Sequence, residues 1–274
     1  MIVLVTGCRS GFGLLIAVSA ARAGHTVYAG LRDLTTASAL VEAAGDLDVR
    51  PVQLDVTSPS ERAEVVAAIT AEHGRVDVLV NNAGIAVGGP LEEQSEAELR
   101  RVFEVNFFGL WELTRLVLPG MRDERSGLIV NVTSMAGRMA LPCLGSYAAS
   151  KHAVKGLTEA LRMELDGLGV RVTNVEPGPY ATDIFGRNKR LAEDLDEAGP
   201  YADLVRQLDR MSEAVLTRSG DPQDVADLVV RLIDDPAPAP RYALGPTTRI
   251  RRFLRWATTD ATFERVILGR IRGS

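Results

Sequence analysis

Apolar residues in this chain come in short runs separated by stretches of helical length. The runs "IVLV" (2–5), "TVYAG" (26–30), "VRPVQL" (49–54), "VDVLV" (76–80), "LIVNV" (128–132) and "VRVTNV" (170–175) are rich in Val and Ile. "IVLV" has no polar alternation, as expected of a strand covered on both faces. Strand-like runs alternating with helical lengths predict βαβ units on a parallel sheet. The expected fold class is therefore α/β, a Rossmann-type doubly wound parallel sheet. It would form a single domain over 1–245 with a helical extension at 246–274. Such sheets bind ligands outside the carboxyl ends of their strands, where strand order reverses, so the chemistry is expected just after these runs.

Three stretches break the alternation. Residues 183–217 are charged and helix-prone and follow a strand's carboxyl end, as a segment covering a site would. Residues 234–240, "DDPAPAP", read as a stiff connector. The tail, 246–274, sets Ile250, Phe253, Leu254 and Ala257, then Phe263, Val266, Ile267 and Ile271, at helical spacing. Asp260 is an N-cap candidate between its two helices.

Composition narrows the chemistry. With 274 residues, 46% of them hydrophobic, the chain can bury a large core. A formal charge of −5 argues against nucleic acid, whose phosphates need a basic face. A small-molecule substrate fits better. Cys8 and Cys143 are too few for a disulfide framework and lack metal-ligand spacing, so both are expected to be small buried hydrophobes, and no metal site is expected. The sequence opens directly as "MIVLVTG", and no stretch reaches the ~18 apolar residues of a membrane span, so a cytoplasmic location is expected. The tail differs in charge. It carries seven arginines against Asp260 and Glu264, a formal +5 on a chain totalling −5, which leaves −10 elsewhere. Docking on the acidic body or on a neighbouring subunit is expected, ahead of adsorption to an anionic membrane surface.

Candidate chemistry begins at "TGCRSGFG" (6–13), after the first strand. Gly7, Gly11 and Gly13 permit a tight turn and close approach of a pyrophosphate to the free N–H groups of a helix N-terminus. The spacing is not G-x-G-x-x-G, and tight strand–helix packing alone would also require glycine. In "VYAGLRD" (27–33), Leu31 stands where an NAD site places a ribose-binding carboxylate, and Arg32 follows it. A guanidinium there suits a 2′-phosphate, which Arg9 could share; for both arginines the alternative is a solvated surface charge. Asp33 could still be recruited to a ribose. NADP(H) is favoured over NAD(H). In "SYAASKH" (146–152), Tyr147 and Lys151 are four apart, so phenol and ammonium share one helix face. Alone, that pair reads rather as a packed ring beside a solvated amine.

Together with "LDVT" (54–57), "NNAG" (81–84), Asn106 in "VNFFG", Ser134 in "NVTS" and "PGPYAT" (177–182), these motifs resemble the short-chain dehydrogenase/reductase family. They run in the family's order from Thr6 to Thr182, about two thirds of the chain, with Ser134 thirteen positions before Tyr147. "TGCRSGFG", "VYAGLRD" and the long extension look most like its hydroxysteroid and retinol dehydrogenase branch. The resemblance implies an NAD(P)-dependent oxidoreductase acting on CH–OH groups, with Asn106, Ser134, Tyr147 and Lys151 as the active tetrad. The cofactor would meet Gly7, Arg9, Ser10, Gly11, Phe12 and Gly13 at its phosphates, Arg32 at the ribose phosphate, and Asp55 and Val56 at the adenine. Asn82, Ala83 and Gly84 would form its floor, Pro177 and Gly178 a turn under the nicotinamide, and Thr182 a bond to the carboxamide. Tyr147 and Lys151 would also touch it, the ammonium through the ribose. Asn81 is read as strand-end turn chemistry and His152 as a structural helix residue. A homo-oligomer, dimer or tetramer, is the expected assembly.

Hydride transfer must be matched by proton transfer at oxygen. A cation ~4 Å from a phenol favours the phenolate by roughly 4 kcal/mol at an effective dielectric of ~20, before desolvation is subtracted. Lys151 is therefore expected to lower the Tyr147 pKa, Ser134 to donate to the substrate oxygen, and Asn106 to hold a water linking Lys151 to solvent or to serve as a helix-interior amide. The expected reaction interconverts an alcohol and a ketone or aldehyde on a lipophilic substrate. One alternative is a polyketide or 3-oxoacyl ketoreductase, which would need a basic patch beside "DIFGRNKRLAEDLDEAG" for its carrier. Another is a non-enzymatic NADP-binding redox sensor, for which an intact tetrad has no use. A methyltransferase would leave Ser134, Tyr147 and Lys151 unexplained.

Overall fold

Each of the six apolar runs is a strand of one sheet. β1 (Ile2–Thr6), β2 (Thr26–Leu31), β3 (Val49–Gln53), β4 (Val78–Asn81), β6 (Gly127–Val132) and β7 (Val170–Pro177) are joined at the edge by β9 (Arg241–Leu244). The order is β3-β2-β1-β4-β6-β7-β9, every pair parallel. The computed structural model describes residues 1–180, 190–217, 219–245, 248 and 257–272. The chain builds outward from β1 to β3, then returns to lay β4 on the other side of β1, so strand order reverses between β1 and β4. This is a single-domain Rossmann-like fold, and the reversal opens the crevice that holds the site.

Helices cover both faces, which is why the strands carry apolar residues on each. On one face α1 (Gly11–Arg22), α2 (Ser38–Ala44) and α8 (Gln223–Asp234) bury Ile16, Leu40 and Val229 against Val3, Val5 and Val80. On the other, α3 (Pro59–His73), α5 (Gly109–Asp123) and α6 (Gly145–Glu164) bury Ile69, Leu113 and Leu161 against Leu4, Leu79 and Ile129. The starts and stops are chemically explicit. Ser58 caps α3 by accepting from Glu61 N at 3.3 Å, with Pro59 in the first turn. α4 (Glu96–Phe103) opens with a reciprocal capping box between Ser95 and Glu98. A π-helical turn, Glu104–Phe108, joins α4 to α5 and holds Asn106; such widened turns recur at functional sites.

Asn81 is not turn chemistry. It lies in register with Asn131 and, through it, Asn174 on three adjacent strands, β4, β6 and β7, all three asparagines buried. The Asn81 amide donates to Asn131 Oδ1 (2.9 Å) and Thr114 Oγ1 (3.1 Å), and Asn131 donates to Thr158 Oγ1 (2.8 Å). These bonds tie α5 and α6 to the sheet.

Beyond the carboxyl edge, β5 (Val87–Gly88) pairs in parallel with β8 (Arg190–Leu191), and Glu98 Oε1 accepts from Glu193 N at 3.0 Å. Val87, Val102 and Ala192 form a small apolar cluster there. α7 (Ala202–Leu216) follows, and α9 (Asp260–Arg272) packs against it with Ile271 buried. Ile250, Phe253 and Leu254 of the expected tail pattern lie outside the described residues. Cys8 is buried as expected, whereas Cys143 is half-buried and held at φ +60°. No described helix is long and apolar enough to cross a membrane.

Candidate active site

A cleft of about 840 Å³ runs across the carboxyl ends of β1, β4 and β6, continuous from Arg9 and Arg32 at one end to Ser134, Tyr147 and Lys151 at the other. Its floor is set by close backbone contact. A Cβ on Gly7 (φ +73°) would stand 2.9 Å from Ala83 Cα, and one on Gly13 would stand 2.3 Å from Gly7 O. Only glycine fits either position. Asn82 locks the turn to β4, its Nδ2 donating to Thr6 O (2.9 Å) and Gly7 O (3.2 Å). Thr6 Oγ1 accepts from Asn82 N and Ala83 N. Ser10 stands at the N-cap of α1 but makes no side-chain cap bond, so the first-turn N–H groups are left for an anion. An open helix N-terminus, a glycine turn and an elongated cleft together fit a dinucleotide.

At the far end of the cleft, Arg9 and Arg32 are exposed, and neither makes a hydrogen-bonded ion pair among the described residues. Asp33 is already employed. Its Oδ1 accepts from Thr35 N (2.9 Å) and Thr35 Oγ1 (2.6 Å), capping a 3₁₀ turn; those bonds, and more weakly Arg32 and Arg9, hold its carboxyl below the usual range. Asp55 Oδ1 accepts from Thr57 N and Oγ1, and Asp55 and Val56 line the adjoining wall.

At the catalytic end, Ser134 starts a 3₁₀ turn after β6, and Tyr147 and Lys151 lie one turn apart near the start of α6. The Ser134 hydroxyl is hydrogen-bonded to the Tyr147 phenol, while its oxygen accepts from Ala136 N at 3.1 Å. Burial pushes the phenol up to about 12, only partly opposed by Ser134. Burial also pulls the Lys151 ammonium down to about 8. Lys151 Nζ sits 5.8 Å from the Tyr147 ring centroid and donates to Val132 O at 3.0 Å. The expected lowering of the Tyr147 pKa is therefore not seen, because desolvation of the phenol outweighs a cation that is itself desolvated and bonded to Val132 O.

Of the sequence-derived residues, the cleft is lined by Gly7, Arg9, Ser10, Gly11, Phe12, Arg32, Asp55, Val56, Asn82, Ala83, Gly84, Ser134, Tyr147, Lys151, Pro177 and Gly178. Gly13 lies beneath the turn rather than at its surface. Asn106 is fully buried and does not reach the cleft: its amide accepts from Ile85 N (2.8 Å) and donates to Ile85 O (2.9 Å) and Ser150 Oγ (3.0 Å). These bonds clamp the segment after Gly84 to α6, and Oδ1, which accepts only from Ile85 N, keeps one acceptor position on the side where Lys151 Nζ lies. Thr182 lies outside the described residues. His152 is exposed, its Nδ1 2.8 Å from Ala148 O. Sequence reasoning missed Arg101, Glu104 and Tyr180, which also line the cleft. The first two share the Asn106 turn or the helix before it, which could have flagged them. Tyr180 meets Phe12 edge-on, with centroids 5.4 Å apart. Among the described residues no group of three or more His, Cys, Asp or Glu is placed to hold a metal ion.

The sequence model of the family described as short chain dehydrogenase matches residues 1–192. A 3-ketodihydrosphingosine reductase of Bacteroides thetaiotaomicron is 34% identical over 249 residues, covering 91% of this chain and 89% of its own. Retinol dehydrogenase 8 of Bos taurus is 38% identical over 249 residues, covering 86% of this chain and 78% of its own. Among solved structures, the closed form of a serine dehydrogenase complexed with NADP+ superposes with a TM-score of 0.77 at 31% identity, over 90% of this chain and 96% of that one. The chain belongs to the short-chain dehydrogenase family. It is an NAD(P)-dependent dehydrogenase/reductase.

Proposed function

We propose that the protein interconverts an alcohol and a ketone or aldehyde on a lipophilic substrate, using NADP(H), with Tyr147 as the acid/base. The observation that carries this reading is the convergence of Ser134, Tyr147 and Lys151 at one end of a cleft whose other end holds Arg9 and Arg32, whose guanidiniums make no hydrogen-bonded ion pair among the described residues. A bound nicotinamide would supply or accept the hydride. Ser134 donates to the substrate oxygen, where negative charge grows in the transition state. Tyr147, held protonated by burial, delivers the proton in the reductive direction. Lys151 keeps a donor and positive charge beside the phenol and can turn from Val132 O to a ribose hydroxyl.

The NADP(H) preference is supported by Arg9 and Arg32, both exposed at the far end of the cleft. A lipophilic substrate is supported by relatives named for 3-ketodihydrosphingosine and retinol, and by the exposed Leu91 (58%), on the segment between β5 and α4. Leu91 overlies the start of α6, since a Cβ on Gly145 would stand 2.7 Å from it. The test is to incubate purified protein with NADPH or NADH and a panel of steroid ketones, retinals, long-chain ketones and 3-oxoacyl thioesters while following reduced-nicotinamide absorbance. Turnover of the lipophilic carbonyls with NADPH is the expected result. Turnover confined to carrier thioesters would favour the ketoreductase reading.

A further inference from the structure

We propose that the Arg138–Glu176 ion pair is the positioning device for Ser134, fixing where its hydroxyl meets the substrate oxygen; this rests on the reading of Ser134 as the substrate's hydrogen-bond donor. The pair is bidentate, with Arg138 Nε 2.5 Å from Glu176 Oε2 and Nη2 3.1 Å from Oε1. It is also dry: the Glu176 side chain is 1% exposed and that of Arg138 17%. A buried ion pair adds little stability over apolar residues of the same volume, so stability does not account for its presence. Two parallel bonds do fix direction as well as distance.

The segment held by the pair begins at Ser134. The 3₁₀ turn Met135–Gly137 closes with Gly137 N donating to Ser134 O (2.9 Å) and Arg138 N to Met135 O (3.0 Å). Thr133, just before Ser134, is bonded to β7 by N and Oγ1 to Val175 O, at 2.8 and 3.0 Å. Arg138, just after the turn, is bonded to β7 through Glu176, the neighbour of Pro177 on the cleft wall. Ser134 is thus strapped to β7 on both sides. The turn also bears on the catalytic helix, because a Cβ on Gly137 would stand 2.9 Å from Lys151 O. Removing the distal strap leaves Ser134 tethered at one end only. An error of ~1 Å in such a contact can lower turnover by ~10²-fold.

The test uses the double variant R138M/E176M, which leaves no unpaired buried charge, and R138K, which keeps the charge but loses the fork. Each is built on wild-type and S134A backgrounds. The substrate is the panel carbonyl that wild type reduces fastest, and NADPH affinity is measured by fluorescence titration. The expected result is NADPH affinity within ~3-fold of wild type, turnover lowered by ~10- to 10²-fold in the double variant with KM little changed, and a smaller loss in R138K. On the S134A background the same changes should cost nothing further, since the pair acts through that hydroxyl. Full turnover in a folded double variant overturns the proposal, as does an undiminished further loss on S134A. If the double variant does not fold, R138K with wild-type turnover overturns it. Wild-type turnover in S134A alone sinks the donor reading itself, and this proposal with it.

Discussion

At the scale of single residues, the proton on Tyr147 is governed by burial. With the ring 3% exposed and its pKa near 12, the phenol stays protonated throughout the neutral range, the state a carbonyl reductase needs. Tyr147→Phe keeps the packed ring and deletes the proton, so turnover should fall by at least ~10²-fold while NADPH binding changes little; stopped assays beside a fluorescence titration check both. Lys151 carries a signature in stability. Its folded pKa, about 8, lies below its ordinary 10.5, so between those values the unfolded chain binds more protons and stability rises with pH, by at most ~3 kcal/mol from this group. Below pH 8 both states are protonated and the cost of the buried ammonium is constant. Denaturation midpoints from pH 7.5 to 9.5 should climb relative to Lys151→Met, which lacks that slope; parallel curves would show that the ammonium is better solvated than its surroundings imply. At the cofactor's far end, Arg32→Asp should weaken NADPH by ~10-fold or more and spare NADH, because it replaces a phosphate-binding charge with a repelling one. Equal losses for both cofactors would remove Arg32 from the phosphate.

At the scale of elements, what the sequence revealed depended on how local the determinant was. Five of the six strands were legible because burial on both faces makes each an apolar run, β3, half-buried at the sheet edge, because Val49, Val52 and Leu54 still stand out in its sequence, and the glycine turn because the sterics at Gly7 and Gly13 admit no side chain. β9 was not legible: "RYAL" is short, follows prolines, and is a strand only because β7 offers it an edge. β5 and β8, two residues each, exist only as each other's partner. At the site, Tyr147, Lys151 and Ser134 were readable from spacing, but the engagement of the Asn106 amide with Ile85 and Ser150 is a contact across 21 and 44 residues that no local pattern records. Nor did spacing show that Asn81 belongs to a buried ladder. The latch on the covering segment is equally non-local and gives a prediction. Glu98 serves both the α4 capping box and Glu193 N. Glu98→Ala should cost ~1 kcal/mol of stability through the lost cap and raise KM for the carbonyl several-fold by loosening residues 190–195, with NADPH affinity unchanged. An unchanged KM would mean the β5–β8 ladder alone holds that segment.

At the scale of the whole molecule, charge and packing together bear on the tail. Its formal +5 is set against −10 on the rest of the chain, and α9 lies against α7, the helix that follows the segment latched by Glu98. Ile271 is buried, while Val266 and Leu268 are exposed at 43% and 38% beside Arg265 and Arg270. A helix adsorbed to a membrane would keep its main apolar face free for lipid, whereas here Ile271 is already covered by protein. The tail is therefore expected to act as a buttress for α7. Deleting residues 246–274 should uncover the face of α7 that α9 protects, leading to aggregation or to a raised KM for the carbonyl. The full-length chain should stay out of the lipid fraction when floated with anionic liposomes at physiological salt. A soluble, fully active truncation, together with flotation of the full-length protein that salt abolishes, would instead assign the basic tail to a membrane surface.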